Sequence, residues 1–410
     1  MLGRYCTDTV RAELRAGPLA SHVDGFATLL VREGYALSTV RAKLQLLAKL
    51  SRWLQRRKLQ VANLDERRLS RFLSDCRRRG ARREDAPTGW QLLRFLRGLG
   101  CIPTFPEAIN DDALTRIERD FERFLSLERG LKAVTVVDYL RTVRRFLRQR
   151  FGQKVPRLDE LRIQDINRFI LERAQGVRRS YAQLMVTALR SFLRFLQQRG
   201  AISADLAAAV PTVANWRLSH LPKSLTAEQV ERLLARCDQS TPAGQRDYAI
   251  LLLLARLGLR AGEVVAMTLD DLDWEAGEFV VHGKGDRQER LPLPQEVGAA
   301  LVHYLRRVRP PCSTRRVFLR MKAPRCGFAG SAAIDDVVRR ALARAGIDSA
   351  FKGAHLLRHS LATNLLRRGA SLQQIGQLLR HCQPNTTQIY AKVDLAALRG
   401  IALPWPGARS

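Results

Sequence analysis

Through the first two hundred positions apolar residues recur three and four apart with little strict alternation, which predicts helices. Two long stretches there share a pattern. GYALSTVRAKLQLLAKL, from Gly34, aligns with GLKAVTVVDYLRTVRRF, from Gly130, at an offset of 96. Val40, Leu44, Leu47 and Leu50 then stand opposite Val136, Leu140, Val143 and Phe146. Downstream, LDERRLSRFL from Leu64 echoes LDELRIQDINRFI from Leu158, with Phe72 opposite Phe169. Amphipathic helices share leucine patterns by default, so coincidence is the bland alternative. The recurrence of two segments in one order favours a duplicated unit.

Gly and Pro cluster in GLGCIPTFPEAINDD, marking a linker over 98–112, and a second boundary falls in VPTVANWRLSHLPKS at 210–224. Thr226 to Gln229 then forms a capping box that opens the helix AEQVERLLARC. Beyond it the pattern mixes. Helical spacing returns in DYAILLLLARLG, PQEVGAALVHYLRRV and IDDVVRRALARAG, while GEFVVHG, RLPL and RVFLR read as short strands. The expected fold is mainly α with a small antiparallel β-sheet (α+β).

Composition changes this picture mainly through charge. With 46% hydrophobic residues the 410-residue chain can bury sizeable cores, yet its net charge is +31. Both halves of the chain are basic, and arginine predominates, whose planar fork suits bidentate phosphate contacts. A polyanionic partner is the expectation; a merely solubilising positive surface is the alternative. The apolar run from Tyr248 to Ala255 is too short to span a bilayer, and the charged N-terminus lacks a secretory apolar block. Seven scattered cysteines, never spaced CxxC, predict reduced thiols in a cytosol and no zinc site.

The candidate chemistry lies towards the C-terminus. His355 and Arg358 stand in HLLRH, and His381 and Tyr390 in LLRHCQPNTTQIY, all within a 36-residue stretch. Upstream, Arg260 stands in LGLRAGEV and Lys284 in HGKGDRQERLPL. Displacement at a phosphodiester needs a nucleophile, cations on the non-bridging oxygens and an acid for the leaving 5′ oxygen. No carboxylate cluster stands out to carry Mg²⁺, so arginine is expected to meet the developing charge. His355 and Arg358, three apart on a helix, share one face. HxxR alone is a weak signal; in order with the other four residues it is specific. His359 reads as a structural neighbour.

On these residues the chain resembles the tyrosine recombinases, the phage-integrase and Xer class. The resemblance covers about residues 114–205, similar to a core-binding domain, and 223–395, similar to a catalytic domain. LGLRAGEVVAMTLDDLDW resembles the first catalytic box, GKGDRQERLPL the hairpin bearing the catalytic lysine, and HLLRHSLATNLLRRGASLQQIGQLLRHCQPNTTQIYAKV the second box through to the nucleophile. The resemblance implies helical DNA-binding domains and a catalytic domain that close as a clamp on double-stranded DNA. The implied segments are an N-terminal helical domain at 1–110 that duplicates the core-binding unit, a core-binding (SAM-like) domain at 113–205, a linker at 206–222, a catalytic domain at 223–400 and a tail at 401–410.

It further implies that Tyr390 attacks the scissile phosphate to leave a 3′-phosphotyrosyl link, with Arg260 and Arg358 clamping that phosphate. Lys284 would protonate the departing 5′ oxygen, His355 assist proton transfer at the tyrosine, and His381 hydrogen-bond a phosphate oxygen. No cofactor, metal or ATP is implied. The enzyme would act as a tetramer across two DNA sites, in the nucleoid, alone or with related recombinases of one mobile element. The segment after Tyr390 would pack on a neighbouring protomer. Three features depart from the pattern. Arg380 replaces the glycine usual before the last histidine, Arg287 stands where a second lysine is usual, and 1–110 has no equivalent in the simplest members. RRLSRFLSDCRRRGARR suggests that this segment contacts DNA. A catalytically idle DNA-binding relative and a type IB topoisomerase are the competing readings.

Overall fold

The computed structural model describes residues 8–102, 112–213, 224–381 and 386–393, apart from positions 79, 81, 83, 153 and 284–286, together with Gln383. Much of both expected linkers, and the tail, therefore lie outside the described residues. The chain divides into two compact units, Thr104–Ser219 and a unit joining Met1–Pro103 with His220–Ser410.

Among the described residues of the first 103, five helices follow one another: α1 (Asp8–Ala16), α2 (Ala20–Arg32), α3 (Leu37–Arg56), α4 (Glu66–Arg77) and α5 (Asp85–Gly98). The apolar stripe of α3 is buried as its spacing predicts, with Val40, Leu44, Leu47 and Leu50 at 0–1% exposure. Asp65 caps α4 by accepting from the Arg68 amide at 2.7 Å, which satisfies a donor the helix start leaves free. This region meets the C-terminal part of the same unit where the Arg325 amide donates to the Glu33 carbonyl at 2.8 Å. Gly34 stands there with φ +81, and a Cβ on it would come within 2.5 Å of the Arg325 side chain.

The unit Thr104–Ser219 contains α6 (Ala113–Arg123), α7 (Ala133–Phe151), α8 (Ile163–Ala174) and α9 (Arg179–Gln198). Its core is aromatic. Phe146 meets Phe169 edge-on at 5.3 Å, and Phe121 meets Phe192 likewise at 5.1 Å. The order repeats that of the first region. A long helix (α3, α7) leads to a 3₁₀ turn (Val61–Asn63, Leu158–Glu160), a 12-residue helix (α4, α8) and a final helix (α5, α9).

The C-terminal part opens with α10 (Ala227–Ala235), whose cap is the expected capping box of Thr226 and Gln229. Next comes α11 (Pro242–Leu257), buried nearly throughout because α10, α13 (Gln295–His303), α14 (Ala332–Arg344) and α15 (Ala354–Arg367) pack around it. The short α12 (Ala261–Ala266) leads to an antiparallel sheet in the order β1 (Leu272–Asp273), β2 (Glu278–His282) and β3 (Gln288–Pro292). GEFVVHG and RLPL thus form the expected pair, with Phe279 opposite Leu291.

RVFLR, expected to be a strand, forms only isolated bridges, Thr268 to Arg316 and Leu319 to Gly327. Side chains occupy the backbone groups that a ladder would use. Arg309 donates to the carbonyls of Arg316 and Val317, Arg246 donates to that of Leu319, and the Tyr304 hydroxyl accepts from the Leu319 amide. The last helix, α16 (Leu372–Leu378), precedes a 3₁₀ turn at Gln388–Val393. Among the described residues no helix is long and apolar enough to cross a membrane.

Candidate active site

Arg260 is placed by the end of one helix and the start of the next. Helix α11 stops at Gly258, whose φ of +58 gives a left-handed cap, and a Cβ there would lie 2.7 Å from Leu379. Two residues on, Arg260 is the N-cap of α12. Glu263 in the first turn accepts from the Arg260 amide at 2.8 Å and from its guanidinium at 2.7 Å. That carboxylate fixes both the backbone and the fork of Arg260. The remaining Nη2 donates to the Arg380 carbonyl at 3.3 Å.

Helix α15 presents His355, Arg358 and His359 at i, i+3 and i+4, one face, while Leu356, Leu357 and Ser360 turn to the core. Arg358 is 3% exposed and donates to the carbonyls of Gly258 and Leu379. Five N–H donors sit on a guanidinium, so two anchoring bonds leave others for an anion. His355 is exposed at the rim of the site.

Helix α16 ends in a Schellman cap. The Arg380 amide bonds the Gln377 carbonyl at 2.9 Å and the His381 amide bonds the Gly376 carbonyl at 3.0 Å. Arg380 therefore occupies the left-handed position, φ +55, where glycine is usual. Its guanidinium is buried and donates to Glu263 at 2.9 Å, so a single carboxylate bridges Arg260 and Arg380. The cap aims His381 inward, where its Nδ1 pairs with the Thr387 hydroxyl at 2.7 Å. Tyr390, 1% exposed, rides the 3₁₀ turn and packs against Ala362, Ile375 and Leu379. Its hydroxyl lies 2.8 Å from His359 Nδ1, and its ring lies parallel to that of His381 at 6.5 Å.

Burial and the crowding of cations set the protonation states. Burial raises the Tyr390 hydroxyl to about 12 against the pull of Arg358. Burial, helped by His355 and Arg358, lowers His359 to about 4, and His381 falls to about 4 by burial with Arg358 and Arg260 beside it. His355 is lowered by the same causes. Arg358 drops to about 10 through burial and its arginine neighbours. Burial would raise Glu263, yet Arg380 and Arg260 outweigh it and hold the carboxyl below its usual range. At neutral pH the histidines are therefore neutral, the tyrosine is protonated and the arginine charge exceeds that of Glu263, an environment set up for an anion.

A cleft of about 390 Å³ opens over Arg260, Arg380 and His381, walled by Gly283, Arg287 and Glu289 of the β2–β3 hairpin. Of the six expected residues, the structure brings together Arg260, Arg358, His381 and Tyr390 and sets His355 beside them. Lys284 lies outside the described residues. Sequence reading took His359 as a structural neighbour and left Glu263 and Thr387 unmarked. The first adjoins Arg358 in the HLLRH motif and the second follows Arg260 by three in the first box, so the signal for both was proximity to a marked residue. Among the described residues no group of three or more His, Cys, Asp or Glu is placed to hold a metal ion.

Comparison with known proteins bears on this geometry. The model of the phage integrase family matches residues 223–396, and that of the phage integrase N-terminal SAM-like domain matches 119–200. The chain is 45% identical over 392 residues to the integrase/recombinase y4rA of Sinorhizobium fredii, covering 95% of both chains. It is 34% identical over 279 residues to tyrosine recombinase XerD of Lacticaseibacillus casei, covering 67% of this chain and 93% of that relative. A solved structure of the XerH site-specific recombinase bound to a palindromic difH substrate shares the fold with a TM-score of 0.55 at 19% identity, over 76% of this chain and 92% of that one. The chain belongs to the phage integrase family of tyrosine recombinases.

Proposed function

We propose that this tyrosine recombinase performs site-specific strand exchange for a mobile element, with Tyr390 as its nucleophile. Tyr390 Oη attacks the scissile phosphate and forms a 3′-phosphotyrosyl link. Arg260 and Arg358 hold the non-bridging oxygens, His381 donates to one of them, and His355 assists from the rim. Lys284, which lies between β2 and β3 in the sequence, protonates the departing 5′ oxygen. A 5′ hydroxyl from a second strand reverses the reaction, so bond energy is conserved without ATP. The observation that carries the reading is that Arg260, Arg358 and Tyr390, far apart in sequence, gather at the C-terminal end of α16, where Arg260 bonds the Arg380 carbonyl, Arg358 bonds the Leu379 carbonyl and Tyr390 packs on Leu379.

Double-stranded DNA is the substrate, in keeping with the net charge of +31. The enzyme works as a tetramer across two sites in the nucleoid, alone or with related recombinases of its element. Residues 1–110 form a duplicate of the core-binding unit at 113–205 and grip a further stretch of DNA. Their matching helix order supports the duplication, and the arginines of RRLSRFLSDCRRRGARR support the DNA contact. The linker at 206–222 joins them to a catalytic domain at 223–400.

A nicked suicide duplex, selected for binding from a random-sequence pool, tests the chemistry. The wild-type chain is expected to give a denaturation-resistant adduct, and Tyr390→Phe to bind the same DNA and give none. Tight binding without an adduct would favour a catalytically idle relative. Relaxation of supercoiled DNA lacking a partner site would favour a topoisomerase.

A further inference from the structure

Of the three histidines described in this part of the site, His359 is the one within hydrogen-bond reach of the Tyr390 hydroxyl. His381 keeps its Nδ1 on the Thr387 hydroxyl, and its ring lies parallel to the phenol at 6.5 Å. His355 sits one helical turn before His359, with its ring 6.3 Å from that of His359, and faces solvent. His359 Nδ1 lies 2.8 Å from Tyr390 Oη, within the reach that proton transfer requires. We propose that His359, not His355, is the proton acceptor that activates Tyr390, a role that rests on Tyr390 being the nucleophile.

The argument is geometric first. The step uses the Nε2–H tautomer of His359, in which the phenol donates and the imidazole accepts through its Nδ1 lone pair. His359 is held neutral by its burial and by the adjacent charges, which keeps that lone pair free at neutral pH. Its position is fixed from both sides. The preceding residue, Arg358, is anchored to the carbonyls of Gly258 and Leu379, which cap α11 and α16, and the tyrosine turn packs directly onto α15. Neither partner needs to move to exchange a proton.

In the forward step the Oη–P bond forms as the Oη proton passes to His359 Nδ1, and the P–O5′ bond breaks as O5′ takes a proton from Lys284. In the reverse step an incoming 5′ hydroxyl displaces the tyrosine and His359 returns its proton to Oη. The imidazolium formed midway faces the negative charge of the phosphodiester. DNA thus supplies the counter-charge that the neighbouring arginines deny it.

The experiment compares adduct formation by the full chain on two nicked duplexes, one normal and one with sulfur in place of the bridging 5′ oxygen. Sulfur leaves without needing a proton, so it corrects a defect in the acid and not in the base. His359→Ala is expected to slow the adduct by roughly 10² to 10⁴ on both duplexes with DNA binding retained. His359→Asn is expected to be comparably slow, because its carboxamide can accept the tyrosine hydrogen bond but cannot keep the proton. Lys284→Ala should be slow on the normal duplex only.

A wild-type rate in His359→Ala would overturn the proposal, as would recovery of its rate on the sulfur duplex. Full activity in His359→Asn would make His359 a positioning residue instead and also overturn it. Failure of the reading beneath it looks different: an adduct that survives in Tyr390→Phe would remove the nucleophile and the acceptor together.

Discussion

Glu263 shows how much of this site depends on one side chain. It neutralises a buried cation, Arg380, and steers a half-buried one, Arg260, while holding the backbone amide that begins α12. Replacing it by Gln leaves Arg380 buried without a counter-charge, which costs on the order of 3 kcal/mol. Protonation does the same in milder form. The Glu263 carboxyl titrates below its usual range, so its stabilisation is complete above about pH 4.3 and is lost as pH falls through the depressed value. The histidines fail earlier. His359 and His381 titrate at about 4 when folded and near 6.5 when unfolded, so the folded chain is fully favoured above about pH 6.5 and loses stability from there down to 4. Thermal melting from pH 7 to 4 should show a falling midpoint that begins near 6.5. In Glu263→Gln the midpoint should start lower, and only the most acidic part of the fall should flatten. A midpoint that stays level to pH 4.5 would contradict the buried neutral histidines.

At the scale of elements the chemistry is built from helix ends. The left-handed cap of α11 at Gly258 delivers Arg260, the first turn of α12 orients it, and the Schellman cap of α16 turns His381 into the site. The last cap explains the departure at Arg380. That position demands positive φ, which an L side chain adopts at a cost of roughly 1 kcal/mol, and here the ion pair to Glu263 offsets it. Arg380→Gly and Arg380→Ala lose the same ion pair, but only glycine relieves the backbone. Urea denaturation should therefore rank the alanine variant less stable than the glycine variant by about 1 kcal/mol. Equal stabilities would mean that the strain is not borne by residue 380.

For the molecule as a whole, charge decides behaviour more than fold does. A net charge of +31 spread over both halves of the chain implies binding dominated by phosphate contacts and release of counterions. With on the order of 8 phosphates neutralised, affinity for duplex DNA should fall roughly 10³-fold or more between 50 and 200 mM salt. Filter binding across that range measures the slope. A flat response would remove the electrostatic grip, and with it the argument that residues 1–110 add DNA contacts.

The chain order of Arg260, Lys284, His355, Arg358, His381 and Tyr390 determined the chemistry to look for. Local patterning determined most of the helices, the Thr226 capping box and the β2–β3 pair. These are short-range properties: a helical stripe, a cap or a hairpin is written within a dozen residues. Tertiary structure alone decided the rest. Periodicity places His355 and His359 on one face of α15, but only the packing of a turn 31 residues away selects His359 to meet Tyr390. Arg380 looked like an added charge by the phosphate until the fold brought it to Glu263, 117 residues upstream. RVFLR had a strand's composition and lost its ladder to Arg309, Arg246 and Tyr304, whose approach no local pattern records. Which buried polar group finds which partner is settled by the packing of distant elements, because desolvation forces a partner and only the assembled core determines what lies within 3 Å.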